Sequence, residues 1–343
     1  MIRRIVLRNF RCHEMIDLKF DQSFVYIEGP NGSGKTSILE SIYFAATTKS
    51  HRTGDESNMI RENQPFMHTK VVTDKSTYDI VLTKEGKRAS INKVEKRKLS
   101  EFIGDLKVVM FSPEDLELIK GSPGYRRQFI DLELMKLDKS YLQALSQYKQ
   151  ILKQRNALLK RLDKESDLTF LNILGEQLYE VGSFIIDERQ TFLDHLNERL
   201  KTIYMQFNDV QVEILYKPHV TKENFLKHIK NNQKQDIFYE QTIAGPHKDD
   251  FFMTFKSFDA KTHASQGEQR LLVVSLKLAL LGYIEDVTKD NVVLLLDDVL
   301  SELDKEKQSI FLKGLPKNIQ VIMNSAILIN EKNIQMIHLK KEE

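Results

Sequence analysis

Alternating apolar and polar positions characterise the first third of the chain. Apolar residues occupy every second position at Ile16, Leu18 and Phe20, and again at Tyr78, Ile80 and Leu82. A period of two predicts β-strands that bury one face. Residues 1–110 are therefore expected to form mostly strands and turns.

A second pattern begins near Arg126 and continues to Tyr204. This block has no proline and little glycine, and its apolar residues recur at intervals of three and four positions. That spacing predicts two helices, separated by the polar residues 163–167. Two arrangements fit: a short antiparallel hairpin with an apolar seam, or ordinary helices packed on a globular domain.

Strand-like sequence returns at residues 251–255, after the helical block. The helical block is therefore expected to be inserted into an α/β domain. We expect a head formed by residues 1–112 and 236–343, and a mainly helical lobe formed by residues 113–235.

The composition narrows the class of protein. The chain has 343 residues and a net charge of +2, so any nucleic-acid surface must be a local patch. Cys12 is the only cysteine, which favours a reducing compartment. No apolar run approaches the roughly 20 residues that a membrane span needs. We expect a soluble cytoplasmic protein without a membrane partner.

Residues 29–36 match the pattern G-x-x-x-x-G-K-T without a mismatch. They follow an apolar run, residues 24–27, and lead into a segment with helical spacing. A strand, a glycine-rich turn and a helix start together predict a phosphate-binding loop. Lys35 is expected to bind the β- and γ-phosphates, and Thr36 to coordinate Mg²⁺. The residues predicted to bind a nucleoside triphosphate are Gly29, Pro30, Asn31, Gly32, Ser33, Gly34, Lys35 and Thr36.

A buried strand predicted at residues 292–296 leads into two carboxylates, Asp297 and Asp298. Many buried strands end in aspartate, but the phosphate-binding loop upstream makes this run the expected second half of an ATPase site. Asp297 is predicted to hold Mg²⁺, and Asp298 to polarise the attacking water, with Lys35 as the other catalytic residue. Ser301 and Asp304 then occupy the place of the D-loop of ABC-type ATPases.

A third segment opens an apolar helix and consists of Ser265, Gln266, Gly267, Glu268 and Gln269. A hydroxyl and a glycine at a helix N-terminus can form an anion site, because free N–H groups and the helix dipole point outward. The same residues also fit a simple capping box. In ABC-type ATPases a signature segment in this place closes over ATP held by the other subunit, and we expect that role here.

The motifs in their order along the chain resemble the RecF family of bacterial recombination ATPases, which are relatives of SMC-type heads. The matching blocks are residues 29–36, 49–53, 112–116, 120–123, 126–131, 245–250, 265–270 and 295–304. The resemblance implies an α/β fold, an ABC-type P-loop ATPase head with an inserted, mainly helical lobe. It also implies an ATP-dependent homodimer that recognises gapped, single-stranded or junction DNA and helps to load recombinase together with RecR and RecO.

The same resemblance leads to expectations about single residues. Arg11 is expected near the nucleotide phosphates, as in SMC-type heads. RecF relatives often carry threonine where this chain has Asn324 and Ser325, so the way in which the γ-phosphate is sensed stays open. Asp298 stands where most ABC-type ATPases have glutamate and is one methylene shorter. We therefore expect weak, DNA-stimulated ATPase activity.

Two basic groups are candidates for contact with DNA, because phosphate contacts need charge rather than sequence readout. They are Lys93, Lys96, Arg97 and Lys98 in one group, and Arg126 and Arg127 in the other. The alternative for the first group is a solvated hairpin. His247 has no partner at metal-ligand spacing, so it is not expected to bind a metal.

The alternative function is an ABC-type ATPase head that drives another module, such as a transporter or a nuclease partner. The sequence has neither an apolar span nor a metal-nuclease cluster beyond the ATPase carboxylates. A protein that has lost ATP chemistry is disfavoured, because Lys35, Thr36 and Asp297 are all present.

Overall fold

The structure, a computed structural model, describes residues 1–162, 167–289, 292–300, 303–315, 319–324 and 334–340. It divides into two compact units. The first unit consists of residues 1–116, 206–208 and 265–343, and the second of residues 117–205 and 209–264. None of the described helices is both long enough and apolar enough to cross a membrane.

A parallel sheet forms the base of the candidate site in the first unit. Its described strands are β3 (Phe24–Glu28), β8 (Val108–Phe111), β12 (Val293–Asp297), β13 (Gln320–Asn324) and β14 (Ile334–His338), in the order β14-β3-β13-β12-β8. Every residue of β12 and β13 is buried, as continuous apolar strands of a parallel sheet should be. Because β3, β13 and β12 are neighbours, their carboxyl ends meet at one edge of the sheet.

An antiparallel sheet in the same unit confirms the alternation seen in the sequence. Its strands are β1 (Ile2–Phe10), β2 (His13–Lys19), β4 (Phe66–Thr73), β5 (Thr77–Thr83), β6 (Gly86–Ile91) and β7 (Val94–Glu95), in the order β2-β1-β4-β5-β6-β7. On β5 the predicted residues Tyr78, Ile80 and Leu82 are buried while their neighbours are partly exposed.

Helix α1 joins the two sheets into one core. The helices described in the first unit are α1 (Lys35–Thr47), α9 (Gln266–Thr288) and α10 (Lys305–Gly314). Ile38 and Ile42 of α1 belong to the same buried cluster as Ile5 of β1 and Ile322 of β13. This packing fixes the start of α1, and therefore the phosphate-binding loop, relative to both sheets.

The second unit combines helices with a small antiparallel sheet. Its helices are α2 (Glu117–Lys120), α3 (Pro123–Leu137), α4 (Lys139–Leu159), α5 (Thr169–Phe207), α6 (Lys222–Asn231), α7 (Gln233–Phe238) and α8 (Ala260–His263). Its strands are β9 (Val212–Lys217), β10 (Asp250–Phe255) and β11 (Phe258–Asp259), in the order β11-β10-β9.

Helices α4 and α5 form the antiparallel hairpin that was one of the two arrangements open from the sequence. Arg189 on α5 donates a hydrogen bond to the hydroxyl of Tyr141 on α4, at 3.1 Å. Gly182 lies against the ring of Tyr148, where an added Cβ would be 3.0 Å from the ring. The contact partners on α5 have lower residue numbers as the residue number on α4 increases, so the two helices run antiparallel. Residues 163–166, between the two helices, lie outside the described residues.

The second boundary of the inserted unit differs from the expected one. The sequence placed the return to the head at residue 236, whereas the second unit continues to Ala264. The reason is that β10, the strand predicted at 251–255, pairs with β9 along Asp250–Phe255. The strand-like sequence therefore builds a sheet within the inserted unit, which is less purely helical than expected.

Candidate nucleotide-binding site

The predicted phosphate-binding loop connects β3 to α1. Gly32 and Gly34 have φ angles of 82° and 84°, in the left-handed region that favours glycine. A Cβ on Gly34 would clash with the side chains of Cys12 and His13. The close approach of this turn to the start of β2 therefore requires glycine at position 34.

The loop lines a cavity of about 810 Å³ at the carboxyl edge of the parallel sheet. Among the predicted site residues, those that line it are Gly29, Asn31, Gly32, Gly34, Lys35, Thr36, Asp297 and Asp298. Pro30, Ser33 and Arg11 are not among its lining residues. Six further residues line the cavity that the sequence motifs did not indicate: Cys12, Tyr26, Glu28, Ser37, Arg52 and Asn324.

Lys35 and Thr36 place a cation and a hydroxyl in this cavity. The Lys35 Nζ donates hydrogen bonds to the carbonyl oxygens of Gly29, at 2.8 Å, and Pro30, at 3.1 Å. The Thr36 Oγ1 donates to Asp297 Oδ1 at 2.8 Å. Residues separated by 261 positions in sequence therefore meet as the two motifs predicted.

Asp297 is the buried carboxylate of the site, with a relative exposure of 4%. Burial raises its pKa, while hydrogen bonds from Asn324 and Thr36 oppose that shift. A hydroxyl and a carboxylate supply the hard oxygen ligands that Mg²⁺ prefers in nucleotide sites, where substrate phosphates and water complete the shell. Thr36 and Asp297 therefore fit a Mg²⁺ ion.

Asp298 follows directly and differs in setting. Its side chain is exposed to the cavity, and its φ angle is 53°, a left-handed value that is uncommon outside glycine. Its backbone N–H donates to the Asn324 side chain at 2.9 Å. The exposed carboxylate is therefore the one that can approach a water molecule in the cavity.

Arg11 occupies a different place from the one expected. Its guanidinium donates to both carboxylate oxygens of Glu40, at 2.9 and 2.7 Å, and to the Asn58 carbonyl at 2.8 Å. Glu40 lies on α1 and is completely buried. In this structure Arg11 anchors the helix α1 and does not line the cavity, so its expected position next to the phosphates is not observed.

Arg52 is the arginine that lines the cavity, and the sequence analysis gave it no role. Its nearest described carboxylates are Glu40 at 3.8 Å and Glu114 at 3.9 Å, both longer than a hydrogen bond. Its side chain is 40% exposed. The sequence feature that could have indicated a role for Arg52 is its position in residues 49–53, one of the blocks that resemble the RecF family, a few residues after α1.

His51, next to Arg52, packs inside the first unit. Its ring meets the ring of Tyr43 edge to face, with centroids 5.6 Å apart. Burial lowers its pKa to about 4, so the ring is neutral near pH 7. Neither ring nitrogen has a hydrogen-bond partner among the described residues. A packed, neutral ring is not placed for contact with a nucleotide or with DNA.

The predicted signature segment caps α9. The Ser265 backbone N–H and hydroxyl both donate to Glu268 Oε2 at 2.7 Å, and the Glu268 N–H is 3.4 Å from Ser265 Oγ. The capping-box prediction is therefore confirmed. Gln266 and Gly267 are exposed in the first turn, while Gln269 is buried. The role of the segment in a partner subunit's site stays a prediction.

The predicted D-loop residues are only partly described. Ser301 lies outside the described residues. Asp304 is the N-cap of α10 and accepts a hydrogen bond from the Lys307 backbone N–H at 2.9 Å. Its side chain also pairs with the Lys307 ammonium at 2.6 Å.

The first basic group lies at an edge of the antiparallel sheet, around β7. Lys93, Arg97 and Lys98 are exposed, and Lys96 is partly exposed. In the part of the chain that the structure describes, none of the four has an ion-pair partner within 4.0 Å. Their charges are therefore available to an external anion.

The second basic group has a structural role instead. The buried guanidinium of Arg126 donates to both oxygens of Asp250, at 2.7 and 2.8 Å, and to the Gly121 carbonyl. This cation is therefore already neutralised inside the second unit, which argues against the predicted contact of Arg126 with DNA. Arg127 is partly exposed and donates to the Asp249 carbonyl at 2.7 Å.

The motif at residues 245–250, which had no physical explanation in the sequence, holds the second unit together. The Nε2–H of His247 donates to the Thr242 carbonyl oxygen at 3.0 Å, and the Nδ1 of the neutral ring accepts from Tyr148 Oη at 2.7 Å. Arg189 pairs with Asp249 at 2.9 Å and with Asp131 at 2.8 Å. The polar groups of this motif therefore find their hydrogen-bond and ion-pair partners within the second unit. Their residue types are explained by these contacts, and no ligand is needed to account for them.

The fold and the site together define the class of protein. The phosphate-binding loop, the Asp297 carboxylate two strands away and the capped helix α9 form an ABC-type P-loop ATPase head. A solved SMC head bound to the C-winged helix domain of ScpA shares this fold, with a TM-score of 0.52 at 15% identity. That alignment covers 95% of this chain and 90% of the SMC head chain.

Comparisons at higher identity are more specific. The family described as RecF/RecN/SMC N terminal domain matches residues 1–336. A protein of Acholeplasma laidlawii (strain PG-8A) named DNA replication and repair protein RecF is 58% identical over 330 residues, covering 96% of this chain and 95% of that protein. A protein of the same name from Clostridium botulinum (strain Okra / Type B1) is 40% identical, covering 94% and 91%.

A solved structure gives the same answer. The one described as the recombination mediator protein RecF-ATP in the RecFOR pathway has a TM-score of 0.90 at 28% identity. It covers 96% of this chain and 93% of the compared chain. This chain belongs to the RecF family.

Proposed function

We propose that this chain is a cytoplasmic, ATP-switched DNA-binding protein of recombinational repair and replication-fork maintenance. The observation that carries the proposal is the convergence of Lys35, Thr36 and Asp297 on one cavity. The relatives named DNA replication and repair protein RecF support the biological setting. The neighbouring structure described as RecF-ATP supports ATP as the nucleotide.

ATP binding would use the groups that already face the cavity. The Lys35 ammonium is held by two neutral carbonyl oxygens, and phosphate oxygens are stronger acceptors for it. Arg52 adds a second cation with only long contacts to carboxylates. Thr36 and Asp297 would hold Mg²⁺, which when bound neutralises charge on the phosphates.

Hydrolysis of ATP would be slow, and Asp298 would polarise the attacking water. This carboxylate is exposed in the cavity and can accept a proton from an attacking water. A carboxylate one methylene shorter than glutamate meets that water less favourably, and a misplacement of about 1 Å can cost on the order of a hundredfold in rate. Weak, DNA-stimulated ATPase activity is the expected result.

The ATP-bound state would be a homodimer. The segment at the start of α9, Ser265, Gln266, Gly267, Glu268 and Gln269, would close over ATP held by the other subunit, next to the D-loop residues Ser301 and Asp304. An added Cβ at Gly267 would meet nothing within 4 Å, so there is room for an approaching phosphate. ATP favours the dimer because only the dimer completes these contacts.

DNA would bind through the basic hairpin that contains Lys93, Lys96, Arg97 and Lys98. The expected substrates are gapped, single-stranded or junction DNA, on which the protein helps to load recombinase with RecR and RecO. The neighbour placed by its description in the RecFOR pathway supports these partners. Contacts from lysine and arginine to phosphates predict binding that is steeply salt-dependent and nearly independent of sequence.

The nucleotide assignment is tested by replacing Lys35. Lys35→Ala should weaken ATP binding at least about tenfold, because the loop loses its phosphate-binding charge, and Lys35→Arg should weaken it because a planar guanidinium does not replace a compact ammonium. Binding is measured by calorimetry with Mg²⁺. Lys19→Ala, at an exposed position on β2, is the control. Parental affinity in both Lys35 variants would contradict the assignment.

A further inference from the structure

Asn324 ends β13, the strand that lies between β3 and β12 at the site. Its side chain is 3% exposed and lines the nucleotide cavity at one end. The amide Nδ2 donates to Asp297 Oδ1 at 2.7 Å, and the amide Oδ1 accepts the backbone N–H of Asp298 at 2.9 Å. One side chain therefore contacts both carboxylate residues of the site, with its donor on one and its acceptor on the other.

We propose that Asn324 is a positioning residue that orients Asp297 toward Mg²⁺ and fixes the backbone from which Asp298 projects. The inference rests on the proposed function, because it assumes that the cavity binds ATP with Mg²⁺. It assigns a role to a residue whose part in the site was open from the sequence.

The hydrogen bonds to Asp297 fix the orientation of its carboxylate. Thr36 Oγ1 and Asn324 Nδ2 both donate to the same oxygen, Oδ1, at 2.8 and 2.7 Å. Two donors on one oxygen fix the plane of the carboxylate and leave Oδ2 outside both bonds. Loss of a partner that orients a metal-binding carboxylate typically lowers metal affinity about 10- to 100-fold.

Asn324 also holds the backbone of Asp298. Its φ angle of 53° lies in the left-handed region, which a residue with a side chain adopts only when its surroundings hold it there. The Asp298 N–H points at Asn324 and is shared by the side-chain Oδ1 at 2.9 Å and the backbone oxygen at 3.1 Å. Asn324 therefore stabilises the conformation that presents the Asp298 carboxylate to the cavity.

The register of the parallel sheet places Asn324 beside Asp297. Asp297 and Asn324 are direct partners in the parallel register of β12 and β13. An amide at this position has both a donor and an acceptor, whereas a carboxylate can only accept and would repel Asp297. A threonine hydroxyl can also donate and accept, but valine can do neither.

Three variants test the proposal. Asn324→Asp keeps the shape and removes the donor, while Asn324→Thr and Asn324→Val have nearly the same shape and differ in the hydroxyl. The measurement is the binding of a fluorescent ATP analogue, titrated with Mg²⁺ and repeated in EDTA. We expect the Val variant to need about tenfold more Mg²⁺ for half-maximal binding, with Mg²⁺-free binding changed less than about twofold. The Asp variant should also need more Mg²⁺, and its added negative charge should weaken Mg²⁺-free binding as well, because it faces the phosphates. The Thr variant should lie close to the parent protein.

The outcomes separate this inference from the proposed function. A parent protein that binds no ATP analogue would overturn the proposed function and this inference with it. A parent protein that binds with Mg²⁺, and a Val variant with the same Mg²⁺ requirement, would overturn this inference alone. Equal losses with and without Mg²⁺ would also overturn it, since they would mean general damage to the site. If the Val variant fails to fold, Asn324→Leu, which is uncharged, close in size to asparagine and unable to form either hydrogen bond, decides by the same criterion.

Discussion

At the scale of single residues, the charge of Glu40 decides which arginine faces the nucleotide cavity. Glu40 is completely buried on α1, one turn after Thr36. Burial raises its pKa, but hydrogen bonds from Arg11 and Ser50 outweigh that effect, and the pKa lies below its ordinary value. The ionised carboxylate therefore holds Arg11, and Arg52 is left as the arginine that lines the cavity, beside Lys35.

The residues of the site could be predicted where they belong to a short contiguous sequence motif. Lys35, Thr36 and Asp297 belong to such stretches, and the structure brings them together. The burial of Arg126 could not be predicted in this way, because its partner Asp250 lies 124 positions away. The same limit applies to Arg11, whose ion-pair partner is visible only after α1 packs between the sheets.

The role proposed for Asp298 gives a prediction about hydrolysis. Asp298→Asn removes the proton acceptor but keeps the shape, so ATP binding and dimerisation should persist while hydrolysis falls below detection. The DNA-bound state should then last longer in ATP, because slow hydrolysis would no longer end it. Asp298→Glu, which keeps a carboxylate, should retain hydrolysis. Rapid DNA release by the Asn variant, measured by stopped flow, would show that turnover is not the timer.

Acidification should destabilise the fold through His51. Its pKa is about 4 in the folded chain against an ordinary value of 6.5, so the unfolded chain takes up a proton first as the pH falls. The free energy of unfolding should therefore drop between pH 6.5 and 4, by up to about 3 kcal/mol for this residue. His247, whose pKa is also about 4, adds to the same slope.

Thermal unfolding at several pH values tests this dependence. His51→Phe keeps an aromatic ring beside Tyr43 and should flatten the fall in Tm below pH 6.5. His228→Phe replaces an exposed histidine on α6 and should keep the parental profile. The same profile in the parent protein and both variants would show that His51 does not couple folding to protons.

At the scale of elements, the order of the parallel strands creates the site. The β3-β13-β12 order places the phosphate-binding loop, Asn324 and Asp297 on consecutive strands. Apolar periodicity was enough to predict β5 and the helices α4 and α5. It did not reveal β9 as the partner of β10, because strand pairing depends on tertiary contacts. The end of the inserted unit was therefore expected at 235 instead of Ala264.

The hairpin formed by β6 and β7 gives the prediction at this scale. Reversing the charges of Lys96, Arg97 and Lys98 to glutamate should weaken DNA binding for all sequences alike and reduce its dependence on salt. The matched control reverses Lys19, Lys75 and Lys313, which changes the net charge equally at exposed positions elsewhere. Binding is measured by fluorescence anisotropy at several salt concentrations. Equal effects of the two triple variants would exclude a specific surface at this hairpin.

At the scale of the whole molecule, the proposed dimer would draw both halves of its nucleotide site from the same kind of chain. The loop and carboxylates line the cavity in the first unit, and the exposed first turn of α9 begins in the same unit. The proposed cycle uses two copies of the chain, each presenting α9 to the ATP of the other. ATP binding would then close the dimer on DNA, and slow hydrolysis would open it.

The most direct test of this cycle is sedimentation velocity with and without ATP and Mg²⁺, repeated with gapped duplex DNA. The account predicts a monomer without nucleotide, a dimer with ATP, and a further shift with DNA only in the presence of ATP. Ser265→Arg should bind ATP nearly as the parent protein does and remain a monomer, because the added side chain blocks the approach of α9. A parent protein that stays monomeric at saturating ATP, or a Ser265→Arg variant that dimerises normally, would contradict the account.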